Sequence, residues 1–165
     1  MLEVFSVNAS TLYLFSPSTI FRGLSSRRPS SGTVLAPKER RSVKKKSRIL
    51  AVDDEPIISE SITYVLEAPH RKIAVAKNGQ EALARVAKEK FDVIIADHRM
   101  PHSGGLELVR RLRKRKYNGK IVVLSGHLSP DNIGTYEELD VDEVLEKPFD
   151  PAELRDIVEW LEEEL

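Results

Sequence analysis

The feature that most constrains the fold is an alternation of short apolar runs with longer amphipathic segments, which begins near residue 48 and continues to the end of the chain. The runs hold four or five residues, are rich in valine and isoleucine, and mostly lack the alternating polar residues of a strand with one solvated face. Such runs predict strands that are buried on both faces. They lie at 49–52, 73–76, 93–96 and 121–124, with a weaker one at 141–145.

Each apolar run is followed by a segment whose apolar residues recur at helical spacing, such as Leu154, Ile157, Val158 and Leu161 in the last one. Five strands would therefore alternate with five helices. This order predicts an α/β fold with right-handed crossovers, in which one doubly wound parallel sheet is covered by helices on both faces. The fourth helix, within 129–139, contains a glycine and few apolar residues, so we expect it to be the least stable element.

The first 47 residues differ in composition from the rest of the chain. They contain nine Lys or Arg and two acidic residues, so they carry a charge of +7, while the remainder of the neutral chain carries −7. This serine-rich segment has three prolines and no sustained periodicity, which predicts a disordered tail at 1–47 and a folded domain at 48–165. Its composition leaves three roles open: a targeting peptide, a basic contact arm, or an extension without a specific role.

Three features of composition exclude classes of function. Cysteine is absent, which excludes disulfides, thiolate metal sites and cysteine nucleophiles. No apolar run approaches the roughly 18 to 20 residues that a membrane-spanning helix needs, so no membrane span is predicted. The balanced total charge removes any whole-chain argument for a nucleic-acid partner.

Charged and polar residues follow four of the five predicted strands. Ligands of an open parallel α/β sheet bind beyond the carboxyl ends of its strands, so these residues are the candidate site. Asp53 and Asp54 follow the first strand, Asp97 follows the third, Ser125 the fourth, and Lys147 lies at the end of the fifth. Two carboxylates about 4 Å apart repel each other by about 4 kcal/mol at an effective dielectric constant of 20. A divalent cation such as Mg²⁺, together with Lys147, would supply the charge that three clustered carboxylates need.

Four separated motifs resemble the receiver domain of two-component response regulators. They are Ile49-Leu50-Ala51-Val52-Asp53-Asp54-Glu55-Pro56, Asp97-His98-Arg99-Met100-Pro101, Ser125-Gly126 and Glu146-Lys147-Pro148-Phe149. The resemblance covers 48–165 and implies a five-stranded (βα)5 fold of flavodoxin-like topology with strand order 2-1-3-4-5. It also implies a cytoplasmic signalling switch rather than an enzyme. Because no second domain follows the last helix, we expect a stand-alone receiver.

The resemblance implies a role for each residue of the candidate site. Asp97 would accept a phosphoryl group from a histidine kinase or a phosphotransfer protein, and Ser125 and Lys147 would contact that group. Mg²⁺ would be bound by oxygen ligands from Asp53, Asp54, Asp97 and the backbone carbonyl of Arg99. A downstream protein would read the change; direct DNA binding is not expected, and a phosphorylation-linked homodimer is left open.

Two positions depart from the family pattern. Val144 stands where the family often has an aromatic residue, so signalling is expected to run through the loop after Ser125 and the fourth helix. Asp140 replaces the glycine that usually precedes the fifth strand, which leaves the turn there undetermined.

Three other functions fit parts of the sequence. A degenerate receiver would bind a partner without being phosphorylated, but the complete acidic set with Ser125 and Lys147 argues against it. An aspartate-nucleophile phosphatase of the haloacid dehalogenase type usually has Asp-x-Asp after its first strand, whereas Asp53 and Asp54 are adjacent here. A flavin or nucleotide binder would need a glycine-rich phosphate loop after that strand, and the sequence has none there.

Two further predictions concern side chains near these motifs. His98 and His102 have the spacing of a zinc pair on a helix, but Pro101 and the glycines that follow predict a loop. We therefore expect both histidines to face solvent near the site. Trp160 lies beside the apolar stripe of the last helix and is expected to be a partly buried packing residue.

Overall fold

The computed structural model describes residues 46–101, 104–127 and 129–165. Five strands and five helices alternate along this part of the chain, as the apolar pattern predicts. The strands are β1 (Ser47–Val52), β2 (Arg71–Ala76), β3 (Val93–Asp97), β4 (Lys120–Ser125) and β5 (Glu143–Glu146). The helices are α1 (Pro56–Leu66), α2 (Gly79–Val86), α3 (Gly105–Lys114), α4 (Pro130–Glu138) and α5 (Pro151–Glu163). β1 begins one residue before the predicted domain boundary, and the predicted tail up to residue 45 lies outside the described residues.

The five strands form one parallel sheet in the order β2-β1-β3-β4-β5, so the order implied by the family resemblance is confirmed. The register places Val52 of β1 opposite Ala96 of β3, and Asp97 of β3 opposite Leu124 of β4. The central strands are buried almost throughout, whereas β2, at the edge, is half-buried over most of its length. The carboxyl ends of β1, β3 and β4 therefore meet at one edge of the sheet.

One core cluster packs α1 and α5 against alternate residues of the central strands, such as Ile49 and Ile95. Successive strand side chains point to opposite faces of a sheet, so Leu50 and Ile94, which are also fully buried, face the opposite layer of helices. Trp160 is half-buried against the core cluster, as predicted. None of the helices in the described part of the chain is both long and apolar enough to cross a membrane.

Local sequence sets the helix starts. Asp150 accepts a hydrogen bond from the backbone N–H of Ala152, which makes it the predicted N-cap of α5. Ser129 caps α4 in the same way by accepting from the N–H of Asn132. Pro56 occupies the first turn of α1, where its missing N–H costs no hydrogen bond.

The turn between α4 and β5 differs from the prediction. β5 begins at Glu143 rather than at residue 141, because the N–H of Val141 donates to the carbonyl of Tyr136 at the end of α4. Asp140 has a φ of 51°, in the left-handed region. Aspartate adopts this region more readily than most residues that carry a Cβ. Asp140 therefore adopts a backbone conformation that glycine would also allow.

Candidate functional site

Three strand ends are joined through Lys147, the residue that follows β5. Its Nζ lies 3.0 Å from Oδ2 of Asp53, which follows β1, and 2.8 Å from Oδ1 of Asp97, which ends β3. Its backbone N–H donates to the carbonyl of Ser125 at the end of β4, at 2.7 Å. The structure thus brings together Asp53, Asp97, Ser125 and Lys147, as the sequence predicts for the carboxyl ends of parallel strands.

The charges of this cluster do not balance. Both carboxylates are buried, Asp53 at 2% exposure and Asp97 at 7%. Because they share one ammonium group, their oxygens lie at most about 6 Å apart, where two negative charges repel each other by about 3 kcal/mol at an effective dielectric constant of 20. Lys147 supplies a single positive charge, so the two carboxylates and the ammonium keep one net negative charge.

The ammonium group of Lys147 stays charged at neutral pH. Burial lowers the pKa of Lys147, but the hydrogen bonds and negative charges of Asp97 and Asp53 raise it by more. The net effect is a pKa above the ordinary value for lysine. Lys147 is therefore a permanent cation next to both carboxylates.

Backbone amides fix the orientation of both buried carboxylates. Oδ2 of Asp97 accepts a hydrogen bond from the N–H of Arg99 at 2.8 Å. Oδ1 of Asp53 accepts one from the N–H of Glu55 at 2.9 Å. In each residue one oxygen is held by the chain that follows and the other by Lys147, so neither carboxylate is free to rotate away.

The remaining predicted site residues lie around this cluster without joining it. The hydroxyl of Ser125 is buried and donates to the carbonyl of His127 at 2.9 Å, within its own loop. Asp54 and the side chain of Arg99 are exposed. Within the part of the chain that the structure describes, no three Asp, Glu or His side chains converge as a metal site.

Gly105, the first residue of α3, lies directly against β3, the strand that ends in Asp97. A Cβ atom at this position would lie 2.3 Å from the carbonyl oxygen of Asp97 and 3.0 Å from Cα of His98. These are backbone atoms, which cannot rotate away as a flexible side chain would. The N–H of Gly105 also donates to the carbonyl of His98 at 3.0 Å. The close approach requires glycine and fixes the start of α3 next to Asp97.

The geometry agrees with the comparison to known proteins. A model of the response regulator receiver domain matches residues 49–159. The chain belongs to this family. The match spans β1 to α5 and includes all the predicted site residues.

Individual relatives of this receiver cover the same region. It is 34% identical over 110 residues to a response regulator receiver protein of Anaeromyxobacter sp., covering 67% of this chain and 46% of that protein. It is 31% identical over 111 residues to sporulation initiation phosphotransferase F of Bacillus subtilis, covering 67% of this chain and 90% of that protein. The structure of the chemotaxis protein CheY4 of Vibrio cholerae matches with a TM-score of 0.66 and 31% identity, covering 70% of this chain and 98% of that one. The chain thus spans about half the length of the first relative.

His98 of this receiver does not face solvent, so that prediction is wrong. Its side chain is half-buried, and its Nδ1 lies 2.6 Å from the hydroxyl oxygen of Tyr136, a fully buried residue of α4. The two rings meet edge to face, with centroids 5.8 Å apart. His98 turns inward because α4 offers a buried hydroxyl as a partner. His102 lies outside the described residues.

The His98–Tyr136 pair is uncharged near neutral pH. Burial and the charge of Arg99 lower the pKa of His98, and the charge of Asp97 opposes this only in part. Burial and the negative charge of Asp97 raise the pKa of the Tyr136 hydroxyl. A neutral imidazole and a protonated phenol thus share one hydrogen bond beside Asp97.

An open groove of about 640 Å³ leads to the acidic residues of this receiver. It runs between α1 and the edge strand β2 and reaches Asp53 and Asp54 at one end. The side chain of Tyr64, 83% exposed, lines it on the α1 side. At this end of the groove Asp54 is exposed to solvent, whereas Asp53 stays buried at 2% exposure.

Proposed function

We propose that this receiver accepts a phosphoryl group on Asp97 and changes its binding to a partner protein in response. The observation that carries the proposal is the contact of one ammonium group, Lys147, with both Asp97 and Asp53 at the ends of neighbouring strands. Membership of the receiver family supports the same reaction. The domain at 48–165 would act as the switch, with 1–47 as a separate tail.

The chemistry needs no general base. Aspartate is ionised at neutral pH, so a carboxylate oxygen of Asp97 can attack phosphorus directly. The new O–P bond forms while the bond from phosphorus to the donor, such as a phosphohistidine nitrogen, breaks and its electron pair leaves with the donor. The product is an acyl phosphate on Asp97.

Lys147 addresses the main barrier, which is repulsion between anions. The incoming phosphoryl group is negative, and Lys147 carries a permanent positive charge 2.8 Å from Asp97. Positioning and charge stabilisation supply most of what phosphoryl transfer needs. The hydroxyl of Ser125 would give up its bond to the His127 carbonyl and donate to a phosphoryl oxygen instead.

The donor set suits a magnesium ion. Asp53 and Asp97 are buried carboxylates with one uncompensated negative charge between them, and oxygen ligands are those that Mg²⁺ prefers. Asp53, Asp97 and the backbone carbonyl of Arg99 would hold the ion together with Asp54, whose exposed side chain would have to turn toward the other two carboxylates. When bound, Mg²⁺ would supply positive charge to the phosphoryl oxygens.

The donor would be a histidine kinase or a phosphotransfer protein in the cytoplasm, and a downstream protein would recognise the phosphorylated form. Under this proposal the receiver is a signalling switch, and its only chemistry is on its own aspartate.

The test is to incubate the full chain with Mg²⁺ and acetyl phosphate, and to locate the modified residue by mass spectrometry. Labelling should occur at Asp97, should require Mg²⁺, and should be abolished in Asp97→Asn. Asp156→Asn, which alters an exposed aspartate of α5, is the matched control and should label normally. Labelling of Asp97→Asn at the wild-type level would contradict the assignment, and an unlabelled wild-type protein would favour a degenerate receiver.

A further inference from the structure

Helix α4 is attached to the rest of the domain differently from the other helices. It buries one side chain, that of Tyr136, whereas each of the other four helices buries three or four residues. Its Gly134 faces open space, with no atom within 4 Å of the position that a Cβ would take. Tyr136 is therefore the one side chain that anchors α4 in the core, while Arg113 of α3 holds the end of the helix by donating to the carbonyl of Leu139 at 3.0 Å.

Tyr136 is linked to the acceptor through one intermediate residue. Its hydroxyl lies 2.6 Å from Nδ1 of His98, the residue that follows Asp97. The backbone of His98 is itself fixed, because its N–H donates to the carbonyl of Leu124 at 2.7 Å and its carbonyl accepts from Gly105 at 3.0 Å. His98 is thus hydrogen-bonded to β4, to the start of α3 and to α4.

We infer that the hydrogen bond between Tyr136 and His98 couples the state of Asp97 to the order of α4. The inference rests on the proposed function. The side chain of Val144, in β5, is buried but has no polar atom. Val144 therefore cannot form a side-chain hydrogen bond like the one between Tyr136 and His98. Tyr136 supplies a buried aromatic hydroxyl from α4 instead.

Phosphorylation would act directly on this link. An acyl phosphate places more negative charge next to His98 than a carboxylate does, and His98 is held by its backbone on two sides. Its side-chain hydrogen bond is the contact that can change, and α4 follows because Tyr136 is its one buried side chain. A typical hydrogen bond shifts a local opening equilibrium by about fivefold.

The test is amide hydrogen exchange of α4 in the full chain, with Mg²⁺ and with or without beryllofluoride as a stand-in for the phosphoryl group. In the wild type, beryllofluoride should change the exchange rates of α4 amides severalfold. Tyr136→Phe keeps the ring and removes the hydroxyl. Without beryllofluoride, Tyr136→Phe should raise the exchange rates of α4 amides about fivefold. Adding beryllofluoride should then change these rates much less than it does in the wild type.

Tyr117→Phe is the matched control. The hydroxyl of Tyr117 also donates to a partner inside the fold, the carbonyl of Phe91 at 3.1 Å, but it does not contact the acceptor. This variant should retain the full response of α4. A lost response in Tyr117→Phe would mean that any missing tyrosine hydroxyl disturbs α4, and would overturn the inference.

His98→Ala provides a second route, which also applies if Tyr136→Phe fails to fold. In His98→Ala the exchange rates of α4 should no longer respond to beryllofluoride. Combining His98→Ala with Tyr136→Phe should reduce the response no further than the more severe single variant does, because both changes remove the same hydrogen bond. If wild type and Tyr136→Phe respond equally, the inference is wrong while the proposed function stands. If the wild type is labelled at Asp97 but α4 does not respond, the inference is again wrong. An unlabelled wild type would overturn the proposed function and the inference with it.

Discussion

The two ends of the parallel sheet hold their charged side chains in opposite ways. At the amino end, the guanidinium of Arg71 makes hydrogen bonds of 2.7 to 3.1 Å to both carboxylate oxygens of Glu162 in α5. At the carboxyl end, Asp53 and Asp97 share the single ammonium group of Lys147. In the first arrangement a buried guanidinium makes several hydrogen bonds to one carboxylate and stabilises the fold, whereas in the second one ammonium group serves two buried carboxylates.

Other carboxylates at the amino end also have structural partners. Oδ2 of Asp92 accepts from the backbone N–H of Arg48 in β1, and Oδ2 of Asp142 accepts from the N–H of Ile121 in β4, both at 2.8 Å. Lys120 additionally approaches Asp142 at 3.2 Å. Each of these carboxylates accepts from the backbone N–H of the second residue of a strand. Burial of a carboxylate alone therefore does not distinguish the two ends of the sheet; the sharing of one ammonium group by two buried carboxylates does.

The largest expected effect on stability comes from removing the buried guanidinium of Arg71 at the amino end of the sheet. The side chain of Arg71 is 2% exposed, so Arg71→Met would leave the Glu162 carboxylate buried without its main partner. Removing one member of a buried ion pair costs about 3 kcal/mol or more of the free energy of unfolding. Urea denaturation should show this loss, while the folded fraction still labels at Asp97. Arg110→Met, at an exposed arginine of α3, is the control, and an equal loss in both variants would contradict the prediction.

A smaller and pH-dependent effect is expected for Glu162→Gln. Burial raises the pKa of Glu162, but the hydrogen bonds from Arg71 and Ser47 and the charges of Arg71 and His70 lower it by more. A carboxylate with a lowered pKa stabilises the folded state above its unfolded pKa, and this contribution is lost as the pH falls through the folded pKa. Glu162→Gln should therefore cost about 1 to 2 kcal/mol near pH 7.

Urea denaturation at a series of pH values measures this dependence. The gap between wild type and Glu162→Gln should narrow as the pH falls below the ordinary glutamate value of 4.5. A gap that stays constant across the acid range would show that the charge of Glu162 contributes nothing.

The smallest effect on stability is expected at the carboxyl end. Asp97→Asn removes one of two like charges that share Lys147, and Lys147 keeps its contact with Asp53. The free energy of unfolding should stay within about 1 kcal/mol of wild type or rise slightly, although phosphoryl labelling is lost. A loss as large as that of Arg71→Met would mean that the two ends do not differ as described.

Features that depend on neighbours in sequence could be predicted. The apolar runs predicted the strands, and Asp150 and Pro56 marked helix starts, because these signals act within about four residues. The meeting of Asp53, Asp97 and Lys147 was predictable as well, since the carboxyl ends of parallel strands share one edge of a sheet.

Contacts between distant side chains could not be predicted in this way. Arg71 and Glu162 are 91 positions apart, and His98 and Tyr136 are 38 apart. Which face of α4 or α5 turns inward depends on packing after the sheet has formed, and local periodicity does not give it. In the sequence, the one signal for an inward-facing polar partner was a tyrosine, Tyr136, among the few apolar residues of the weak fourth helix.

The structure leaves no space for a side chain at Gly105, and this predicts the phenotype of mutations at that codon. Any side chain there would press on the backbone carbonyl of Asp97, 2.3 Å from the new Cβ. In a collection of random missense alleles, changes at codon 105 should therefore fall into the same phenotypic class as changes at codon 97. Such an allele would look like a signalling lesion although glycine contributes no reactive group. Under the proposed function, selection for phosphoryl acceptance would act on two codons, one for the carboxylate and one for the space beside it.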